Sequence, residues 1–194
     1  MQQAAYSGWV TTTIKPKPRE RLLAAAEELF YAEGVHIGVD RLCETAQVSK
    51  RSMYQHFGSK DEVLLEVLKQ RAPQVMAGLD TAPDAGPRDR ILAVFDSLHA
   101  QAQTPEFHGC PFVNVATELK DHQHPASIAA LGFKLELNAF FEAQARLAGA
   151  KDPEALGVQL TMMFDGASAY SVVRGEASPA ARSAVEALLA SQAV

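Results

Sequence analysis

Apolar residues recur through most of this chain every three or four positions, which is the period of an amphipathic α-helix. A first helix is predicted over residues 19–33, with Leu22, Ala26, Leu29 and Phe30 on its apolar face. That face should pack on two shorter helices that follow it, so that the three helices close one small unit.

The same periodicity, together with the Gly and Pro residues between apolar runs, predicts six further helices after this unit. They cover residues 60–79, 88–103, 111–120, 125–147, 153–173 and 179–190. In the first of them, Pro73 should kink the helix or end it near Ala72, because proline cannot donate the backbone hydrogen bond. The helix after Asp152 is apolar on two faces, which is typical of a helix buried on two sides. We therefore predict an all-α protein with about nine helices.

The stretch 39–60, VDRLCETAQVSKRSMYQHFGSK, has the pattern of two short helices joined by a tight turn. The second helix should bury Met53 and Phe57 and begin after Ser49, whose hydroxyl is a good N-cap. Its outer positions carry hydrogen-bond donors and no carboxylate: Lys50, Arg51, Ser52, Tyr54, Gln55 and His56. Such a surface suits the DNA major groove, where Lys, Arg and Gln reach base edges and Ser, Tyr and His reach phosphate.

Two strings in this part of the chain carry a family resemblance. Ser49–Phe57, followed by Ser59–Glu62, resembles the helix-turn-helix core of the TetR family of one-component transcriptional repressors, and Arg21–Phe30 resembles that family's first helix. The resemblance covers about residues 19–68. It implies an N-terminal three-helix DNA-binding domain and a C-terminal helical domain that binds a ligand and forms a homodimer through the last two helices.

Two positions depart from the family's usual pattern. Gln47 stands in the turn where the family usually has Gly, because the backbone there tends towards positive φ. Gly38 stands where Ser or Thr commonly caps the second helix. We expect a slightly altered turn geometry from both.

The resemblance implies a domain division and a set of DNA contacts. Residues 1–17 would form a flexible arm, which could touch phosphate or have no role; 18–65 would bind DNA, and 66–194 would bind the effector and dimerise. The resulting hypothesis is a ligand-responsive repressor that binds a near-palindromic operator in double-stranded DNA and is released by a small molecule. The base-edge candidates are Lys50, Arg51 and Gln55, and the backbone contacts are Ser49, Ser52, Tyr54, His56 and Lys60.

Charge and composition fit this hypothesis. The 194 residues carry a net charge of −5, divided between residues 1–60, with eight Lys or Arg against six Asp or Glu, and residues 61–194, with ten against seventeen. The positive potential therefore lies towards the N-terminal end. No apolar run is long enough for a membrane span, the N-terminus lacks the apolar core of a signal peptide, and two cysteines fit a reducing compartment. We expect a cytoplasmic protein with no membrane partner.

A second resemblance concerns the string His108–Asn114, which recurs in one branch of TetR-like regulators whose C-terminal helices enclose an apolar effector pocket. Aromatic and thioether side chains with a few polar groups are typical of such pockets, although each of these residues could equally be core. An apolar or aromatic effector is expected. The predicted lining is His99, Gln103, Phe107, Cys110, Phe112, Asn114, Phe133, Leu137, Phe140, Met163 and Phe164.

Cys110 leaves three alternatives open, and one of them is an inert buried cysteine. It precedes a predicted helix, whose N-terminal dipole would favour the thiolate, so the protein could sense oxidants or electrophiles. It could also act with a histidine as the nucleophile of an enzyme, but no nucleophile elbow, Walker loop or dinucleotide fingerprint is present. Cys43 lies on an apolar face and is predicted to be core. The histidines match no tight ligand spacing, so neither a metal site nor a cofactor is expected.

Overall fold

The computed structural model describes residues 16–79 and 82–194, which fold into nine α-helices without a strand. Their bounds are α1 Pro18–Ala32, α2 Val39–Ala46, α3 Lys50–His56, α4 Lys60–Leu79, α5 Pro87–Gln101, α6 Pro111–Leu119, α7 Pro125–Leu147, α8 Pro153–Arg174 and α9 Ala181–Ser191. The predicted all-α class and the number of helices are confirmed. The predicted arm lies outside the described residues, except for positions 16 and 17.

The first three helices pack around a small apolar centre. Leu22 and Ala26 of α1, Leu42 of α2 and Met53 of α3 are completely buried there, and Cys43 joins them as the apolar spacing predicted. The first turn of α4 closes this centre, since α1 packs along α4 as well as against α2 and α3. Burial of such side chains stabilises the unit by about 1.5–3 kcal/mol each.

The fourth helix has its predicted extent, Lys60–Leu79, and Pro73 lies inside it without ending it near Ala72. Proline removes one backbone hydrogen bond, but Val75 and Met76 beyond it pack against the core and hold the last turns in place. Helix α4 therefore connects the first three helices with the remaining five without interruption.

The C-terminal five helices are organised around the antiparallel pair α7 and α8. The two backbones approach closely at Gly157, where an added Cβ would lie 3.1 Å from the Glu142 nitrogen and 3.2 Å from the Asn138 oxygen. Asp152 caps α8 by accepting from the Ala155 N–H at 3.0 Å. Helix α5 packs on α7 and α9, and the rings of Phe95 and Phe141 stack at 5.8 Å between α5 and α7.

Side-chain hydrogen bonds also connect the N-terminal helices with α6 and the residues just before it. The Tyr31 hydroxyl at the end of α1 donates to the Gly109 carbonyl at 2.9 Å and accepts from the His108 N–H at 3.0 Å. The Glu118 carboxylate of α6 accepts from the Val35 N–H at 2.7 Å. The Glu118 bond thereby connects α6 with the segment between α1 and α2.

Candidate nucleic-acid interface and effector region

Helix α3 is held by one cap and two buried anchors. The Ser49 hydroxyl accepts from the Ser52 N–H at 3.1 Å, which confirms the predicted N-cap. Met53 is completely buried and Phe57 is 6% exposed, so the inner face of α3 is fixed against the first helices. A seven-residue helix is marginal in isolation, and these contacts give its outer face a defined orientation.

The outer face of α3 presents donors to solvent. Arg51, Gln55 and His56 are exposed, and the Tyr54 side chain is 53% exposed. Lys50 is exposed as well, but its ammonium pairs with the Asp40 carboxylate of α2 at 2.5 Å, and this hydrogen bond raises the pKa of Lys50. The nearest negative charge to this face thus comes from α2, which the carboxylate-free string of α3 did not reveal.

In the turn before α3, Gln47 has the positive φ expected at this position, while the expected alteration of the turn geometry stays a prediction. Gln47 adopts φ +53° and ψ +45°, in the left-handed region that a glycine would occupy without strain. Gly38 precedes α2 in an extended conformation and offers no side chain to cap it. Gln47 nevertheless donates its backbone N–H to the carbonyls of Cys43 and Glu44, which closes the end of α2.

Lys60 has partners inside the protein. Its ammonium donates to the Val35 carbonyl at 2.7 Å and to the Ile37 carbonyl at 3.0 Å, so it holds the segment between α1 and α2. Its contact with DNA phosphate stays a prediction. Beside it, Ser59 caps α4 by accepting from the Glu62 N–H at 3.1 Å, while Glu62 accepts from Gly58, one residue earlier than in a standard capping box.

The predicted effector residues do not gather around one cavity. Phe112, Phe133 and Leu137 are at most 2% exposed, and the Phe112 and Phe133 rings stack 3.8 Å apart. Phe112 also lines a cavity of about 260 Å³, and Phe133 lines a different one of about 810 Å³. His99 and Gln103 lie on the surface, where their side-chain nitrogens are 3.1 Å apart. The other placements are as follows: Phe140 and Met163 are partly buried against the core, and Asn114 lines a separate cavity of about 340 Å³ between α1, α4 and α6.

Phe107, Cys110 and Phe164 do come together, around a small cavity of about 40 Å³. Cys110 is the N-cap residue of α6, as the sequence predicted, and is 8% exposed. The Ser168 hydroxyl also lines this cavity; it is buried and has no hydrogen-bond partner among the described residues. A cavity of this size accommodates a water molecule but not a drug-sized ligand.

Comparison with known proteins identifies the family. Residues 22–67 match the family model described as "Bacterial regulatory proteins, tetR family". The crystal structure of a TetR-type transcriptional regulator from Streptomyces avermitilis is 43% identical, with a TM-score of 0.86, and the match covers 92% of this chain and 100% of that one. This chain belongs to the TetR family. SCO4454, a TetR-family regulator from Streptomyces coelicolor, is 31% identical over 91% of this chain and 96% of its own, with a TM-score of 0.85.

Two curated relatives, both described as HTH-type regulators, match about half of this chain. The transcriptional activator FasR of Mycolicibacterium smegmatis is 38% identical over 92 residues, which are 44% of this chain and 42% of FasR. The transcriptional repressor NemR of Escherichia coli K12 is 32% identical over 108 residues, or 53% of this chain and 54% of NemR. The chain thus spans about half the length of these curated relatives.

These relatives are regulators, and they confirm the prediction of a DNA-binding transcriptional regulator rather than an enzyme. In the described part of this TetR-family chain, no helix has the length and apolar character needed to cross a bilayer. Tyr31 and Glu118 were not predicted as connecting residues, although they join α1 and the α1–α2 segment to α6 and the residues just before it. Their partners lie 77 to 83 residues away along the chain, so no local spacing could have indicated them.

Proposed function

We propose that this protein is a cytoplasmic, ligand-responsive repressor that binds a near-palindromic operator as a homodimer. The observation that carries the proposal is the outer face of α3, where exposed donors stand on a helix whose cap and anchors fix its orientation. Residues 18–65 bind DNA and residues 66–194 bind the effector and dimerise. Lys50, Arg51 and Gln55 are the base-edge contacts of each half-site, and the neighbouring polar side chains contact phosphate.

The dimer surface is proposed on α7 and α8. Large apolar side chains on the outer side of both helices are about half exposed or more in the single chain: Ile128, Leu131, Leu135, Val158, Met162 and Val173. The sequence predicted α8 with α9, but the large apolar residues of α9 point inward, and Val185 and Leu189 are completely buried. Contiguous apolar surface of this kind marks a protein interface, and a second copy of the chain matches it on its own two helices.

Repression rather than activation is the proposed mode, and the relatives allow both, since NemR is named a repressor and FasR an activator. In the proposed mechanism, each monomer reads one half-site, with the two α3 helices about 34–36 Å apart or a multiple of this distance. Effector binding changes this separation. A coupling free energy of about 1–3 kcal/mol is enough to lower operator affinity about 5–150-fold.

The test begins with selection of bound sequences from random duplex DNA by the purified full chain. Binding of the selected duplex is then measured by fluorescence anisotropy between 50 and 200 mM salt, with a shuffled duplex as control. Affinity for the selected duplex should fall by about 10³–10⁵ for roughly 6–10 phosphate contacts. Failure to enrich any sequence, with equal weak binding to both duplexes at low salt, would contradict the proposal.

A second candidate is the same regulator released by an oxidant or electrophile at Cys110. It is favoured by the position of Cys110 as the N-cap of α6, beside the small cavity that Ser168 also lines. The Cys110→Ser variant should then keep operator affinity and lose release by hydrogen peroxide. Unchanged release of the variant would exclude Cys110 as the sensor.

A further inference from the structure

A cavity of about 340 Å³ lies between α1, α4 and α6, outside the predicted effector region except for Asn114. We call it the α1–α4–α6 cavity. Its walls are apolar and come from all three helices, with Phe30 from α1, Leu64 and Val67 from α4, and Val115 from α6. Its size is at the lower end of small-molecule sites, so it can hold a single aromatic or alicyclic body.

The polar groups at this cavity are mainly acceptors. Glu27 and Glu28 both line it, while its cationic group, Arg71, already donates to Glu27 at 2.8 Å. Glu28 is exposed and interacts with Arg41 only through the electrostatic field, without a hydrogen bond or ion pair among residues 16–79 and 82–194. Asn114 uses its amide N–H on the His108 carbonyl at 2.8 Å, which leaves its side-chain oxygen as an acceptor. A ligand that donates hydrogen bonds and carries a positive charge complements these acceptors.

Aromatic surface points to the same ligand charge. Tyr31 lines the cavity, and its hydroxyl is engaged on both sides by the backbone of residues 108 and 109, so the ring cannot turn its polar end to a ligand. Phe30 supplies a second ring. Aromatic faces attract cations through the negative potential of the ring, and nearby carboxylates add to this attraction. We propose that the α1–α4–α6 cavity binds an organic cation, a protonated amine carried on an apolar body.

The position of the cavity connects such a ligand with the helix-turn-helix. Helix α1 packs against α2, α3 and α4, and α6 holds the connection between α1 and α2 through the hydrogen bond from Val35 to Glu118. A ligand that contacts all three helices therefore changes how α6 sits on α1. That this ligand acts as the effector rests on the proposed function, whereas its binding to the free protein does not.

Three probes of matched shape test the charge preference: 4-phenylbutylamine, 4-phenylbutan-1-ol and 4-phenylbutyrate, each titrated into the full chain by calorimetry at pH 7. The amine should bind about five- to tenfold more tightly than the alcohol, and the carboxylate should bind most weakly. Equal affinities, or tightest binding by the carboxylate, would overturn the proposal.

Two pairs of variants locate the site. Ala24→Leu fills the mouth of the cavity from an exposed position on α1 and should weaken amine binding at least about tenfold, while Ala32→Leu, exposed on the same helix away from the cavity, should not. Glu28→Gln should remove most of the preference for amine over alcohol, and Glu106→Gln, an exposed acid outside the cavity, should leave it. Circular dichroism checks that each variant is folded. Equal effects within either pair would place the amine elsewhere.

Operator release is measured last, by anisotropy with the selected duplex. Release by the amine from the parent chain but not from Ala24→Leu supports the cavity as the effector site. Calorimetric binding without any change in operator affinity would overturn that role. If the chain binds the amine and no DNA at all, the proposed function fails and the binding site stands.

Discussion

Two outward surfaces of this molecule are open in the single chain, and they differ completely in chemistry. The outer face of α3 consists of hydrogen-bond donors, with Arg51, Gln55 and His56 exposed. The outer side of α7 and α8 is apolar, and Met162 and Val173 there are 68% and 82% exposed. The α3 surface therefore suits a polyanion, which is bound by hydrogen-bond donors and positive charge. The α7–α8 surface suits a protein partner, for which we propose a second copy of the chain, because exposed apolar area favours such contacts.

The largest effect is expected from a charge on the apolar surface. Met162→Glu places a carboxylate from each chain in the proposed interface, where burial without a partner is strongly unfavourable. The dimer should dissociate about 10²-fold or more readily, and operator affinity should fall with it. Sedimentation velocity over a range of protein concentrations measures the dissociation.

Ala187→Glu on α9 is the matched control, since Ala187 is exposed on a helix whose large apolar residues face inward. It should leave the dimer intact. A dimer that survives Met162→Glu but not Ala187→Glu would move the interface to α9 and remove the proposed contrast between the two surfaces.

The second effect concerns the polar surface. Arg51→Ala should weaken binding to the selected operator by about 1–3 kcal/mol and relax the preference for one base pair, if the guanidinium reads a base edge. Competition experiments with single-base operator variants measure this. Arg88→Ala, at an exposed position on α5, should change neither quantity. A uniform loss across all sequences after Arg51→Ala would make Arg51 a phosphate contact instead.

The next prediction concerns whether Lys60 belongs to the DNA-binding surface or stabilises the fold. Because its ammonium donates to two backbone carbonyls, Lys60→Met should lower the free energy of unfolding by about 1–2 kcal/mol. Urea unfolding measures it, with Lys69→Met, an exposed lysine of α4, as control. Unchanged stability combined with weaker, less salt-dependent operator binding would instead assign Lys60 to the DNA-binding surface.

The smallest effect is expected from Asp40. Its carboxylate pairs with Lys50 at 2.5 Å in the free protein, and DNA must compete with this pair. Asp40→Asn frees the ammonium and should raise operator affinity by less than about fivefold, since exposed ion pairs are weak. Anisotropy at low salt detects the change. Weaker operator binding by the variant would show that Asp40 positions Lys50 for DNA.

The α3 surface and the predicted effector residues also differ in how far the sequence alone predicted their placement. The α3 surface depends on neighbours within ten residues: the Ser49 cap, the buried Met53 and the left-handed Gln47 are all local, and each was predicted. The effector residues depend on how distant helices pack. Phe112 and Phe133 are ordinary apolar positions in sequence, and spacing along the chain could not show that their rings stack 3.8 Å apart.

Pro73 also shows that local sequence preference alone does not determine where a helix ends. Its local preference is to end a helix, yet tertiary packing of Val75 and Met76 carries α4 past it. Likewise, the two-faced apolar pattern of α8 predicted burial on two sides. Spacing along α8 could not show that Met162 and Val173 stay exposed while Val185 and Leu189 of α9 are completely buried.

The most direct measurement of the central claim is the response of binding to the spacing between half-sites. Two chains per duplex, joined through α7 and α8, require both α3 helices to meet the same face of DNA. Insertion of about five base pairs, half a helical turn, at the operator centre should therefore abolish cooperative binding, and about ten should restore part of it. Binding of one chain per duplex that is insensitive to either insertion would contradict the account.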